Sequence, residues 1–188
     1  MVRYVNQDVI YQKLIEVFGE DYVVMEWDVV KGSQDGYTRK LYCPRIDFAI
    51  GPFNINRNFD YNNQIITEKY NEYEELFNLL IQHSDMPNNS LTGNSNPRCF
   101  LTVEHENEVT RKHMIGTIIN ASAIGKVGII IAAQEKTYRA LLRIRKYLES
   151  LVRFNKLNYK PENIIIIKFN EFMTCMQQFG IDSNNEHL

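Results

Sequence analysis

Two solid apolar runs constrain the fold more than any other feature of these 188 residues. Residues 127–133 read Val-Gly-Ile-Ile-Ile-Ala-Ala, and residues 163–169 read Asn-Ile-Ile-Ile-Ile-Lys-Phe. A strand with one wet face alternates apolar and polar residues, because successive side chains point to opposite sides. Runs without alternation belong to strands covered on both faces, as in sheets sandwiched between helices. Residues 134–154, between the two runs, carry a helical period with Tyr138, Leu141, Leu142, Leu148, Leu151 and Val152 on one arc. Strand, long helix and strand make a crossover unit, so this part of the chain predicts parallel strands flanked by helices.

The N-terminal part has a different rhythm. Residues 6–18 place Val9, Ile10, Leu14, Val17 and Phe18 at helical spacing and end at Gly19. Residues 22–30 alternate, with Val23, Met25, Trp27 and Val29 on one face of a strand. Turn-forming residues 32–36 lead to a second strand over 41–50, in which Ile46, Phe48 and Ile50 share one face and Arg45, Asp47 and Ala49 the other. Residues 51–98 then form a polar, Asn-rich insertion with one amphipathic helix over 63–83, bearing Ile66, Tyr70, Tyr73, Phe77 and Leu80. A loop with Pro87, Gly93 and Pro97 closes it. The insertion is too poor in apolar residues to build its own core, which predicts a single domain over 1–188.

A third strand over 99–106 passes into a helix over 107–125, whose small residues Gly116, Ala121, Ser122 and Ala123 suit close packing on a sheet, with Gly125 as C-cap. A terminal helix over 171–179 and a polar tail over 182–188 complete the chain. The predicted fold class is α/β, a mixed central sheet with helices on both faces and a helical insertion between the second and third strands.

Composition narrows the setting. A net charge of −2 neither demands nor excludes a nucleic-acid partner, since a local patch can bind phosphates alone. No run reaches the roughly 18–20 apolar residues of a membrane span, and residues 1–8 lack the layout of a signal peptide. Three widely spaced cysteines suit reduced thiols, so a cytoplasmic setting without membrane association is expected. The four histidines and three cysteines show no zinc-ligand spacing.

Chemistry concentrates on the third strand. Leu101, Val103 and His105 point one way along it, and Thr102, Glu104 and Glu106 the other. Two carboxylates side by side on a covered face repel unless a cation sits with them, so the strand end is a candidate site for a divalent ion. His105 and His113 read as packing or solvent histidines.

Pro44-Arg45-Ile46-Asp47 on the second strand and Val103-Glu104-His105-Glu106 on the third, followed by a small-residue helix and a strand, resemble the PD-(D/E)XK nuclease superfamily, the restriction-endonuclease-like fold. The resemblance covers most of residues 1–133. It implies an α-β-β-β-α-β core and hydrolysis of phosphodiesters with Mg²⁺ or Mn²⁺. Asp47 and Glu104 would be the direct metal ligands, the backbone carbonyl of His105 a third oxygen, and Glu106 the group that positions or deprotonates the attacking water. The family's usual acid-x-Lys is acid-x-Glu here, a variant seen in some restriction endonucleases, and the insertion lengthens the spacing between Asp47 and Glu104. Glu16 or Glu20 could supply a further acid, and Lys112 could replace the absent lysine charge.

The resemblance thus implies a deoxyribonuclease of restriction or repair type. A catalytically inactive domain of the same fold, serving as a nucleic-acid-binding or scaffolding subunit, is the alternative, and an unrelated α/β domain with incidental acids is a third. Lys136, Arg139, Arg143, Lys146 and Arg153 form a basic stripe on the helix over 134–154, which can meet a phosphate backbone or simply face water. The Tyr- and Asn-rich insertion could stack on bases, or it could join a second copy of the chain or a partner subunit.

Overall fold

The computed structural model describes residues 2–29, 45–54, 59–84, 91–158 and 161–185, with side chains from Asn6 onward except those of 59–61 and 181–185. The expected turn at 32–36, residues 41–44 with Cys43 and Pro44, Pro87 and residues 186–188 lie outside this set. In chain order the elements are α1 (Val2–Phe18), a 3-10 turn (Glu20–Tyr22), β1 (Val23–Asp28), β2 (Arg45–Phe53), α2 (Phe59–Glu72), α3 (Glu74–Gln82) and β3 (Cys99–Glu106). They continue with α4 (Arg111–Ile124), β4 (Gly125–Ala132), α5 (Glu135–Arg153), β5 (Ile164–Lys168) and α6 (Phe169–Asn185).

Among the described residues the strands form one five-stranded sheet in the order β1-β2-β3-β4-β5. The pairs β1–β2 and β2–β3 are antiparallel, while β3, β4 and β5 run parallel. The result is a mixed α/β sheet flanked by helices. Ile129, Ile131, Ile165 and Ile167 face one core with Leu14, Phe77 and Phe172, whereas Ile130, Ile164 and Ile166 face another with Met114, Ile118 and Leu141. Each apolar run is unbroken because both of its faces are buried.

Several local expectations change. The strand β2 runs on to Phe53, so Gly51, Pro52 and Phe53 belong to the sheet rather than to an insertion. The single helix expected over 63–83 is two, parted at Tyr73, whose φ of −103° and ψ of 18° leave the helical range. The Tyr73 ring packs 5.0 Å from that of Phe18 and 5.7 Å from those of Phe100 and Phe179. Ile66, Leu76, Phe77, Leu80 and Ile81 share the core with α1 and α6, so this segment forms one wall of the main core. It makes no core of its own, but neither is it an appendage.

Residues 107–110 are irregular, and α4 begins only at Arg111. Gly125 is not a left-handed cap. Its φ of −81° and ψ of 152° are extended, and it opens β4. A Cβ there would lie 2.5 Å from the Val127 carbonyl oxygen and 2.8 Å from Thr102 Oγ1, so glycine serves close approach rather than chain reversal. Gly116 has open space around its Cα and lines a cavity, so it is not a sheet contact. Ala121 is that contact, because a Cβ on Gly128 would sit 3.1 Å from the Ala121 methyl. At the C-terminus, α6 extends through Asn185, past the start of the expected polar tail. At the opposite edge the alternation of β1 fails. Met25 is 37% exposed, and Glu26 takes a left-handed φ of 48°.

Candidate active site

Strand register builds the site. The β2–β3 pairs Phe48↔Val103 and Ala49↔Thr102 continue, one step further, to Asp47 opposite Glu104. The β1–β2 pairs Met25↔Phe48 and Trp27↔Ile46 bracket Glu26 opposite Asp47. One rung across three strands therefore carries Glu26, Asp47 and Glu104. Directly opposed residues of antiparallel strands stand close together on the same face.

Asp47 and Glu104 are tied through each other's backbone. The Asp47 amide donates to Glu104 Oε2 at 3.5 Å, and the His105 amide donates to Asp47 Oδ2 at 2.9 Å. Burial, and then the charge of Asp47, push the Glu104 carboxyl well above the usual carboxylate range. Glu106 and Glu26 add to the push, and the bond from the Asp47 amide opposes it. Desolvation and like charge act together here, the arrangement that keeps a carboxyl ready for a proton or a cation.

Glu106 is also on this face, but it is engaged. Its side chain is only 3% exposed. Oε1 accepts from the Glu108 amide at 2.8 Å, and Oε2 lies 3.1 Å from both Thr117 Oγ1 and His113 Nε2. The helix α4 thus wraps this carboxylate. The His105 ring, on the opposite face of β3, is buried 6.2 Å from the ring of Phe169. Its backbone amide, by contrast, reaches Asp47 Oδ2.

These groups open onto a cavity of about 580 Å³. Asp47, Glu104 and Glu106 make its acidic part, while Arg45, Lys112 and His113 give it positive or protonatable groups. A cavity with both signs can hold a cation and an anion side by side, as metal-assisted chemistry on a phosphate demands. Among the described residues, no three His, Cys, Asp or Glu side chains are gathered tightly enough to hold a metal ion as they stand.

The candidates chosen from the sequence divide accordingly. Asp47, Glu104, His105, Glu106 and Lys112 meet at one cavity. Glu16 does not join them, since it is exposed and paired with Lys13. Glu20 is exposed in the 3-10 turn that precedes β1, and it is also absent from the cavity. Of the basic stripe, all five residues are exposed on α5. Lys136 and Arg143 line a separate groove of about 680 Å³ between α4 and α5, together with Arg111, Ile115 and Tyr147. Arg139 is bonded to Glu135 at 2.7 Å, and Arg153 lies over the Phe154 ring.

Sequence reasoning missed Glu26 and undervalued His113. Alternation along β1 does set Glu26 opposite its apolar face. Its partner, however, follows from the β1–β2 register, which no local pattern encodes across residues 30–44. His113 meets Glu106 because residues 107–110 turn α4 back over β3, which spacing alone does not reveal.

Comparison of the chain with protein-family models, with curated proteins and with solved structures yields no match.

Proposed function

We propose that this chain is a divalent-metal-dependent nuclease acting on DNA, a restriction-endonuclease-like domain with an acid-x-Glu site. The observation that carries the reading is the Asp47–Glu104 clasp. Two carboxylates from adjacent strands face one cavity, each held by the other's strand, with Arg45 and Lys112 beside them. Further support is topological. With α2 and α3 set aside as the insertion between β2 and β3, the remaining order α1-β1-β2-β3-α4-β4, antiparallel through β3 and parallel at β4, is compatible with the α-β-β-β-α-β core that the resemblance implies.

The donor set suits the implied ion. Mg²⁺ takes one or two carboxylates and keeps several waters, so Asp47 and Glu104 are a sufficient protein contribution. Removing the repulsion on Glu104 gives these residues a reason to prefer the bound state. When bound, such a cation supplies charge neutralisation on the phosphate and a more acidic water. The protein's own part is to hold Asp47 and Glu104 by the amides of His105 and Asp47, and to offer Lys112 and Arg45 to the phosphate oxygens. In this reading the basic groove beside α5 carries the flanking backbone, through Lys136 and Arg143.

A second reading is a domain that binds nucleic acid without cutting it. The capture of both Glu106 oxygens by neighbouring donors favours it, since a carboxylate so engaged is a poor group to activate water.

The deciding experiment is cleavage of supercoiled plasmid and single-stranded DNA with Mn²⁺ or Mg²⁺ by wild type, Asp47→Ala and Glu104→Ala. Cutting by wild type alone supports the nuclease. Cutting that survives both substitutions removes these residues from the chemistry. Absent cutting, with no heat of Mn²⁺ binding, moves the assignment to the non-cutting domain.

A further inference from the structure

We propose that Glu106 and His113 form a carboxylate–imidazole dyad in which His113, not Glu106, is the general base of the site. The inference rests on the nuclease reading above and goes beyond it by naming the group that activates water.

Accessibility separates the two residues. The Glu106 side chain is 3% exposed, whereas that of His113 is 53% exposed at the cavity. Glu106 Oε1 already accepts the Glu108 amide at 2.8 Å, and Oε2 faces Thr117 Oγ1 and His113 Nε2 at 3.1 Å each. A substrate that enters the cavity meets the imidazole before it can reach the carboxylate.

Hydrogen-bond chemistry then sets the ring's state. Carboxylate oxygens accept, so the imidazole nitrogen facing Glu106 carries the hydrogen, and in the neutral ring the other nitrogen is an acceptor. Glu106 therefore fixes the tautomer with Nε2–H toward itself and leaves Nδ1 with a lone pair. A buried carboxylate that orients an imidazole so that the opposite nitrogen can take a proton is a recurrent catalytic arrangement on unrelated folds. Thr117 Oγ1 stands 3.1 Å from the same Oε2 and 3.2 Å from the His113 carbonyl oxygen, so α4 supplies the imidazole and also a hydroxyl beside the pair.

In the proposed step, water attacks phosphorus as its proton passes to His113 Nδ1, forming the new P–O bond. The P–O bond to the leaving ester oxygen breaks, and that oxygen takes a proton from solvent. His113 then releases its proton to water. Glu106 keeps its bond to Nε2–H throughout and is a positioning residue.

The test compares wild type, His113→Ala, Glu106→Gln, the His113→Ala/Glu106→Gln double variant and Asp47→Ala. Plasmid cleavage in Mn²⁺ and Mn²⁺ binding by calorimetry are measured for each. Expected for His113→Ala is a loss of about 100-fold or more in kcat, the scale of a general base. Its Mn²⁺ affinity should stay within about twofold of wild type, and added imidazole should restore cutting to His113→Ala but not to Asp47→Ala. The double variant should be no worse than the weaker single one, since residues acting as a unit are non-additive. His113→Ala that cuts like wild type overturns the dyad and leaves the nuclease reading standing. Lost activity without imidazole rescue, or with lost Mn²⁺ affinity, makes His113 structural and also overturns it. A wild type that neither cuts nor binds Mn²⁺ overturns the nuclease reading and the dyad together.

Discussion

Asp47 and Glu104 face each other across β2 and β3, the Asp47 amide reaching Glu104 Oε2 at 3.5 Å while the next amide along β3, that of His105, donates to Asp47 Oδ2 at 2.9 Å. Each carboxylate therefore reports the position of the other strand, and a cation that bridged them would be held by the sheet itself.

This relationship has a consequence for stability. The folded-state pKa of Glu104 is raised above its ordinary value of 4.5. A group shifted upward contributes stability that is complete below its unfolded value and lost as pH rises through the folded one. Without divalent metal, the wild type is expected to lose stability above pH 4.5 and to regain part of it when Mn²⁺ is added. Glu104→Gln should flatten the pH dependence and raise the metal-free Tm near neutrality by roughly 2–4 °C, about 1 kcal/mol for a chain of this size. Thermal unfolding of both proteins across the acid-to-neutral range checks it. Parallel curves would remove Glu104 as the cause.

Glu26 holds a left-handed φ of 48°, which charges a residue with a Cβ for the crowding against the backbone. Glu26→Gly should thus be more stable than Glu26→Ala by about 1 kcal/mol, since both lose the carboxylate and only glycine loses the strain. Denaturant midpoints measure the difference, and equal midpoints would contradict it. If the rung of acids matters to the cation, both variants should also bind Mn²⁺ more weakly than wild type.

The seat of α4 on the sheet is a separate test. A Cβ at Gly128 would come 2.4 Å from Ile164 Cδ1 and 3.1 Å from the Ala121 backbone carbon. Nearby, the buried Asn163 amide donates to the carbonyls of Ser122 at 2.9 Å and Gly125 at 3.1 Å, and its Oδ1 accepts from the Ser122 hydroxyl. Gly128→Ala should destabilise by about 1–3 kcal/mol through overpacking. Asn163→Ala should lose a similar amount, of order 2 kcal/mol, by leaving buried carbonyls unsatisfied. Urea unfolding decides both, and a neutral result at either position would show that α4 can shift to accommodate the change.

Lys136 and Arg143, in the groove with Arg111, are expected to carry phosphate contacts that Arg139 does not share, because Glu135 already engages it. Lys136→Glu and Arg143→Glu should weaken binding to duplex DNA and reduce the slope of log affinity against log salt by about 1 each. Arg139→Glu should leave that slope close to wild type. Fluorescence anisotropy over a salt series separates the cases, and identical slopes for all three would reassign α5 to solvent.

What the sequence alone determined is what local periodicity encodes. The unbroken run at 127–133 marked a strand covered on both faces, and the alternation of Leu101, Val103 and His105 against Thr102, Glu104 and Glu106 set the faces of β3. A strand or helix period depends only on backbone geometry over a few residues. Tertiary structure decided the partners. Glu26 joins Asp47 and Glu104 through strand register, Glu16 and Glu20 stay outside, Glu106 is claimed by His113 and Thr117, and Tyr73 breaks a helix whose period runs on without a gap. Register and helix docking are set by packing between residues as far apart in the chain as Asp47 and Glu104, and the free energy that selects one register over another belongs to the whole core rather than to any segment.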